Sequence, residues 1–128
     1  GAGHGLLAHA MLLLDETSPD ALAVDVTLPP SSARIHAALV DTWPRLAGRF
    51  TFVMGRIEDV EIRPSDVVVS SHACGALTDR ILAGAVAARA RVAVLPCCHD
   101  FAACDAGDLS GWVDPALAID VMRAVRLR

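Results

Sequence analysis

The chain has 128 residues, of which 54% are hydrophobic and 20% charged, and this composition is typical of one globular domain and not of a disordered segment. Its net charge of −4 argues against tight non-specific binding to nucleic acid, so we expect no DNA partner. The apolar run from Gly5 to Leu14 is too short to cross a membrane and lacks a basic leader, so we expect a soluble, cytoplasmic protein without a membrane partner.

Helical and strand patterns alternate along the chain. The predicted elements, in order, are a helix at 5–14, a strand at 21–26, a helix at 32–46, a strand at 50–54, a strand at 67–69, a helix at 77–86, a strand at 92–95 and a helix at 115–126. Pro44 is expected to bend or end the second helix, and Asp114 to cap the fourth, with Pro115 at its first position. Continuous apolar strands are typical of parallel sheets covered on both faces. The order therefore predicts an α/β fold with a doubly wound, mainly parallel, Rossmann-like sheet.

One strand of this fold has no counterpart in the chain. A glycine loop that opens a helix normally follows a strand, yet Gly1 begins the sequence, and that first strand would be central in the sheet. The end at Arg128, directly after a helix, leaves no room for the last strands either. We therefore expect residues 1–128 to be a single, partial domain of a longer polypeptide.

The segment Gly1-Ala2-Gly3-His4-Gly5 opens the first predicted helix. Glycines allow a ligand to approach the backbone closely, and a helix N-terminus offers unpaired N–H groups. For the glycines alone, a flexible start or a cloning remnant is the favoured explanation. Asp25, however, ends the next strand, where nucleotide-binding folds place the acid that holds the ribose hydroxyls. Gly1, Gly3 and Gly5 together with Asp25 therefore favour a nucleoside-type cofactor.

The loop after the second predicted strand suggests which cofactor this is. Ile57 can pack on an adenine ring and Asp59 can accept from its exocyclic amine, although a solvated acidic turn is the alternative. The opening pattern is G-x-G-x-G and not the dinucleotide pattern G-x-G-x-x-G. Glycine loop, ribose acid and adenine loop, in this order, predict S-adenosylmethionine binding.

Two strand ends carry histidine and cysteine. His72 and Cys74 follow the third predicted strand, and Cys97, Cys98 and His99 follow the fourth. The carboxyl ends of parallel strands share one edge of a sheet, and ligands bind there. We expect both groups to line the cleft where a methyl group is delivered, with the three cysteines forming a substrate pocket.

These strand ends resemble a known family. "HACGALTD", residues 72–79, and "PCCHD", residues 96–100, are similar to the paired signatures H-x-C-G-x-x-T-D and C-C-H of a family of tRNA 2′-O-methyltransferases and related methyltransferase-domain proteins. The resemblance covers residues 1 to about 100 and implies a fold that binds S-adenosylmethionine, with RNA, a tRNA 2′-hydroxyl, as the acceptor. After C-C-H the chain continues Asp100-Phe101-Ala102-Ala103-Cys104, where the family commonly has a second histidine, a basic residue and a cysteine.

Three residues are candidates for the general base that a hydroxyl acceptor needs. His72 is the first candidate, because histidine titrates near neutral pH, and it is also counted among the cofactor-binding residues. His99 and Asp79 are the alternatives. A hydrogen bond to the loop backbone is the competing role for His72, and capping of a helix is the competing role for Thr78 and Asp79.

A zinc site formed by Cys97, Cys98, His99 and Cys104 has suitable ligands, but adjacent cysteines at a strand end point to opposite faces, so no metal is predicted.

Three arginines end the last predicted helix, where cations complement the helix dipole or dock RNA phosphates: Arg123, Arg126 and Arg128.

The sequence thus predicts an S-adenosylmethionine-dependent methyltransferase. A non-catalytic Rossmann-like module that binds a partner or RNA is the alternative, and a redox or metal protein built on the cysteines is a third hypothesis.

Overall fold

The computed structural model describes residues 1–127, and the chain forms two compact units, Gly1–Val60 and a second that begins at Glu61. The main elements, in chain order, are α1 (Leu6–Leu14), β1 (Ala21–Asp25), α2 (Ser32–Thr42), β2 (Phe50–Met54), β3 (Val67–Ser70), α3 (Ala76–Ala87), β4 (Arg91–Val94) and α4 (Pro115–Val125). Short 3-10 turns lie at Pro44–Leu46, Ile57–Asp59 and Gly107–Leu109. Every helix and strand predicted from the sequence is confirmed, and the expectation of one domain over residues 1–128 stays a prediction.

The first unit is a parallel strand pair covered by α1. β1 and β2 run parallel, with Ala21 opposite Phe50 and Asp25 opposite Met54. The apolar helix α1 contacts β1 and contributes the fully buried Leu12 to the core. This packing holds the loop before α1 near the carboxyl end of β1.

The second unit is also a parallel pair with helices. β3 and β4 are in register from Val67 and Arg91 to Ser70 and Val94, so their carboxyl ends are level. Helix α3 contacts both strands. Its buried side chains, with two from α4, form the core of this unit: Thr78, Ile81, Leu82, Ala85, Ala118 and Ile119.

Local signals set the helix ends as expected. The Asp114 carboxylate accepts hydrogen bonds from the N–H groups of Ala116 and Leu117, with Pro115 at the first helical position, which confirms the predicted cap. Helix α2 stops at Thr42, before the predicted end at residue 46, because Pro44 cannot continue its hydrogen-bond ladder.

The strand pairing agrees in part with the predicted sheet. Within residues 1–127 the strands form two parallel pairs, β1 with β2 and β3 with β4, and Ala23 is the one strand residue that is fully buried. The continuous apolar pattern predicted burial on both faces, whereas most strand positions are half-buried or exposed, so the packed helices leave part of the strand faces accessible. The small parallel sheets agree with a methyltransferase-like α/β fold. None of the helices over residues 1–127 has the length and apolar character needed to span a bilayer.

Candidate active site

The glycine loop lies along the end of β1 in the first unit. The N–H of Ala2 donates to the carbonyl of Val24 at 3.1 Å, and the N–H of Gly3 donates to Asp25 Oδ2 at 2.8 Å. The N–H of Thr27 donates to the other carboxylate oxygen at 3.1 Å. The structure therefore brings the opening glycines and Asp25 together, while their role in holding a cofactor stays a prediction.

Asp25 is held in its ionised form. Partial burial alone would raise its pKa, but the backbone N–H groups of Gly3 and Thr27 outweigh that effect and lower the pKa below its ordinary value. A carboxylate offers about four acceptor positions, and these two donors use one on each oxygen. The amino group of Gly1 also lies 3.6 Å from Oδ2, and the carboxylate keeps acceptor capacity for further donors, such as hydroxyls.

Gly5, directly before α1, meets a cluster of rings. A Cβ at this position, where φ is 80°, would lie 2.7 Å from Phe50 Cζ. His9 is 1% exposed, stacks on Phe50 with ring centroids 3.9 Å apart, and bonds through Nδ1 to the Gly5 carbonyl at 2.8 Å. Its Nε2 lies 3.0 Å from His36 Nδ1. Sequence reasoning missed this cluster, although a polar residue within the apolar segment Leu6–Leu14 was the available signal.

The loop proposed to contact adenine is anchored beside Asp25. The N–H of Gly55 donates to the Asp25 carbonyl at 2.9 Å. Asp59 Oδ2 accepts from the N–H of Arg56 at 3.0 Å, so this exposed carboxylate caps its own 3-10 turn, and Ile57 is half-buried. Both the adenine contact and the acidic turn remain compatible with this geometry, and the roles of Ile57 and Asp59 stay predictions.

Histidine and cysteine from two strand ends meet in the second unit. His72 Nδ1 lies 2.9 Å from Cys97 Sγ, which is 3.6 Å from Cys74 Sγ, and Cys74 Sγ is 3.9 Å from His72 Nε2. All three side chains are exposed. They converge because Ser70 and Val94 are opposite each other at the ends of β3 and β4. The sequence predicted this convergence from the parallel order alone.

Cys98 departs from the expected geometry. Strand β4 ends at Val94, so Cys97 and Cys98 lie on irregular backbone after Pro96, where side chains do not alternate between faces. The thiols of both residues interact with that of Cys74. Hydrogen bonding with Cys98 and then Cys97, together with partial desolvation, raises the pKa of Cys74 to about 11. Strict alternation between faces therefore does not describe this segment, although Cys98 still lies outside the group of potential ligands that contains Cys97.

A buried arginine connects α4 with α3. Arg123 is 4% exposed, and it donates to Asp79 through Nε at 2.9 Å and through Nη2 at 3.0 Å. It also donates to Asp120 Oδ1 at 3.1 Å and to the Gly75 carbonyl at 3.1 Å. The hydrogen bonds from Arg123 lower the pKa of Asp79 despite its partial burial, so this carboxylate is ionised and already paired.

The three candidate bases have different surroundings. Asp79 is paired with Arg123, and His99 Nε2 lies 2.9 Å from Asp120 Oδ1. The ring nitrogens of His72 face the two thiols of the cluster. This geometry favours a structural role for Asp79 and leaves His72 the best placed of the three.

Comparison with known proteins connects these observations. The profile of a family described as a methyltransferase domain matches residues 1–104, a stretch that contains both the glycine loop with Asp25 and the cluster of His72, Cys74 and Cys97. The chain belongs to this methyltransferase-domain family. Comparison with curated proteins gave no match, and comparison with solved structures gave none. Family membership supports a transferase activity, the transfer of methyl groups.

The predicted basic end of the last helix of this methyltransferase domain is not a surface patch. Arg123 is buried in its ion-pair network, and Arg126 Nη2 pairs with Asp105 Oδ2 at 2.5 Å. Arg128 lies outside the described residues. The alternative in which Arg123 docks RNA phosphates does not fit this geometry, because the side chain is buried and bonded to Asp79 and Asp120.

The four residues considered as zinc ligands from the sequence of this methyltransferase domain, Cys97, Cys98, His99 and Cys104, do not come together. His99 is bonded to Asp120, and the buried Cys104 places its Sγ 3.5 Å from Arg123 Nη2. Burial raises the pKa of the Cys104 thiol, which keeps it neutral. Over residues 1–127, the group of potential metal ligands that does converge is His72, Cys74 and Cys97.

Proposed function

We propose that this methyltransferase domain uses S-adenosylmethionine as its methyl donor and holds the adenosyl part with Gly1, Gly3, Gly5 and Asp25. The observation that carries the proposal is the 2.8 Å hydrogen bond from the Gly3 N–H to the Asp25 carboxylate at the carboxyl end of β1. In nucleotide-binding α/β folds, a glycine loop and an acid at two neighbouring strand ends form the ribose site.

The residues present fit this group. Asp25 is ionised and has acceptor capacity left for ribose hydroxyls. Within the described residues, no side chain caps the first turn of α1, so its backbone N–H groups are available to a ligand. The Gly55 bond to the Asp25 carbonyl holds the predicted adenine loop next to the ribose acid.

The strand pairing supports a Rossmann-like sheet. In the doubly wound order 3-2-1-4-5, strand 3 pairs with strand 2 and strand 4 pairs with strand 5. β1 and β2 correspond to strands 2 and 3 of that order, and β3 and β4 correspond to strands 4 and 5. The two observed parallel pairs are the pairs that this order contains.

His72 is the residue we assign as general base. S-adenosylmethionine supplies a methyl group on a sulfonium, which passes to the acceptor oxygen as the carbon–sulfur bond breaks. The acceptor hydroxyl must then lose its proton, and an imidazole can take it near neutral pH. In metal-free protein, the tautomer in which Nδ1–H donates to Cys97 Sγ leaves Nε2 without a proton and able to accept one.

An RNA acceptor, a tRNA 2′-hydroxyl, is proposed on the family resemblance of the strand-end signatures. The arginines of α4 do not support it, since Arg123 is buried and Arg126 is paired with Asp105. Free thiols at all four cysteines support our proposal that the protein works in a reducing, cytoplasmic compartment.

Calorimetric titration with S-adenosylmethionine tests the cofactor site. We expect Asp25→Asn to weaken binding by about 10- to 100-fold, because hydrogen bonds to a charged acceptor contribute about 1.5–3 kcal/mol. Asp41→Asn is the matched control, since it removes an exposed carboxylate at the end of α2. Equal affinity of the Asp25 and Asp41 variants would contradict the proposed site.

Methyl transfer is tested with a labelled donor, offering tRNA and bulk protein as separate acceptors. We expect label in tRNA and a loss of about 100-fold or more in His72→Ala, with cofactor affinity retained. Label in protein alone would overturn the RNA acceptor. Cofactor binding with no transfer to either acceptor would favour the non-catalytic module.

A further inference from the structure

We propose that His72, Cys74 and Cys97 form a Zn²⁺ site with three protein ligands and an open fourth position. Their ligand atoms all lie within 4.8 Å of one another at the exposed ends of β3 and β4. Neither membership of the methyltransferase-domain family nor the proposed use of S-adenosylmethionine requires such an ion.

The spacing of the two sulfurs is close to that of a tetrahedral zinc site, and the imidazole needs a small shift to complete it. With Zn–S near 2.3 Å and Zn–N near 2.05 Å, two thiolates lie about 3.8 Å apart and a thiolate and an imidazole nitrogen about 3.6 Å apart. The Cys74 and Cys97 sulfurs are 3.6 Å apart, already at this spacing. His72 Nδ1 is 2.9 Å from Cys97 Sγ, a hydrogen-bond distance, so ring and thiol must separate by roughly 0.7 Å when an ion replaces the proton between them.

The chemistry of the ligands favours zinc. Two thiolates and one imidazole are soft and borderline donors, which select Zn²⁺ over the hard cations that prefer oxygen. Binding releases both thiol protons to solvent, and two thiolate charges neutralise the ion. Three protein ligands with a free position are the arrangement of a reactive zinc site, whereas structural sites have four.

Cys98 is the residue that distinguishes an open site from a closed one. Its thiol interacts with Cys74, but it does not belong to the group whose atoms lie within 4.8 Å of one another. A closed site would need a different position for this side chain. The geometry therefore assigns Cys98 to the surroundings of the ion and not to its ligands.

Metal binding and general-base catalysis are alternative states of His72. An imidazole that binds zinc through Nδ1 carries a proton on Nε2 and cannot accept another there. The zinc proposal does not depend on the proposed methyl transfer. Its test measures metal binding directly and needs no methylation assay.

The test is titration of the reduced, metal-free 128-residue chain with Zn²⁺ by calorimetry and with Co²⁺ by absorption spectroscopy. We expect one ion per chain, with the visible bands of tetrahedral Co²⁺ and charge-transfer bands of two thiolates. Cys74→Ser, Cys97→Ser and His72→Ala should each weaken Zn²⁺ binding by more than about 100-fold, beyond the 10- to 100-fold typical of groups that only orient a ligand. These side chains are exposed, so circular dichroism should show unchanged folding.

Two cysteines serve as controls. Cys104→Ser, which changes a buried thiol bonded to Arg123, should leave zinc affinity and the cobalt spectrum unchanged. Cys98→Ser should also keep both. A loss in Cys98→Ser as large as in Cys74→Ser would overturn the open three-ligand site. Absence of stoichiometric binding, or a Cys74–Cys97 disulfide that persists under reducing conditions, would overturn the zinc proposal itself.

Discussion

The two units gather their chemical groups by different means. In the first unit, backbone N–H groups of Gly3 and Thr27 surround the single carboxylate of Asp25. In the second, exposed side chains at two strand ends contact one another directly. A group held by backbone is positioned by the fold itself, whereas side chains on a level strand edge can rearrange by a fraction of an ångström around a ligand. The first arrangement suits a fixed cofactor contact, and the second suits an ion.

The buried polar groups of the two units differ in the same way. The first unit buries a neutral imidazole, His9, against Phe50. The second buries a cation, Arg123, and satisfies it with Asp79 and Asp120. Charged networks are costly to break, and neutral ring clusters respond to packing and to protonation. The predictions below test this contrast.

Removing the buried charge of the second unit should have the largest effect. Arg123→Met preserves an unbranched apolar stem but removes the charge that pairs with Asp79. We expect the free energy of unfolding, measured by urea denaturation, to fall by about 3 kcal/mol or more. Arg126→Met is the matched control, because its ion pair with Asp105 joins side chains that are 52% and 49% exposed. We expect that variant to lose less than about 1 kcal/mol. An equal fall in the free energy of unfolding of the two variants would show that burial of Arg123 does not increase its contribution to stability.

Filling the glycine position next to the ring cluster should have the next largest effect on stability. Gly5→Ala combines backbone strain at φ 80° with a Cβ 2.7 Å from Phe50 Cζ, and we expect a loss of about 2–3 kcal/mol. Gly48→Ala has a similar φ of 72° but no atom within 4 Å of the new Cβ, so strain alone should cost about 1 kcal/mol. Denaturation midpoints of the two variants separate the steric clash from the strain, and identical losses would mean that Phe50 moves away freely.

Acidification should weaken the first unit through His9. Burial lowers the pKa of His9, more than its Gly5 bond raises it, with His36 lowering it further. The unfolded chain therefore takes up this proton at higher pH than the folded chain, so the contribution of His9 is intact above about pH 6.5 and is lost as pH falls below that value. The slope from this one group cannot exceed about 1.4 kcal/mol per pH unit.

The measurement compares urea midpoints at pH 7.5 and 5.5 in the parent chain and in His9→Gln. The variant should be less stable at pH 7.5 and should show a smaller difference between the two pH values. An unchanged difference would assign the pH dependence to other groups.

Part of the candidate site follows from the sequence because it depends on strand order. Parallel strands of similar length have level carboxyl ends, so His72 and Cys97 had to approach each other once β3 and β4 paired in register. The contact between Gly3 and Asp25 follows from the same rule applied to the loop before α1 and the end of β1. Neither inference needed a side-chain conformation.

The sequence by itself determined the order and approximate bounds of the helices and strands, the stop before Pro44 and the Asp114 cap, because each depends on hydrogen bonds and periodicity within a few residues. Only the tertiary structure decided that Arg123 turns inward to Asp79, 44 positions away, and that His9 packs on Phe50. It also placed Cys98 beside Cys74, on backbone that no strand pattern describes. Such pairings depend on how whole elements pack, which no local pattern of residues specifies.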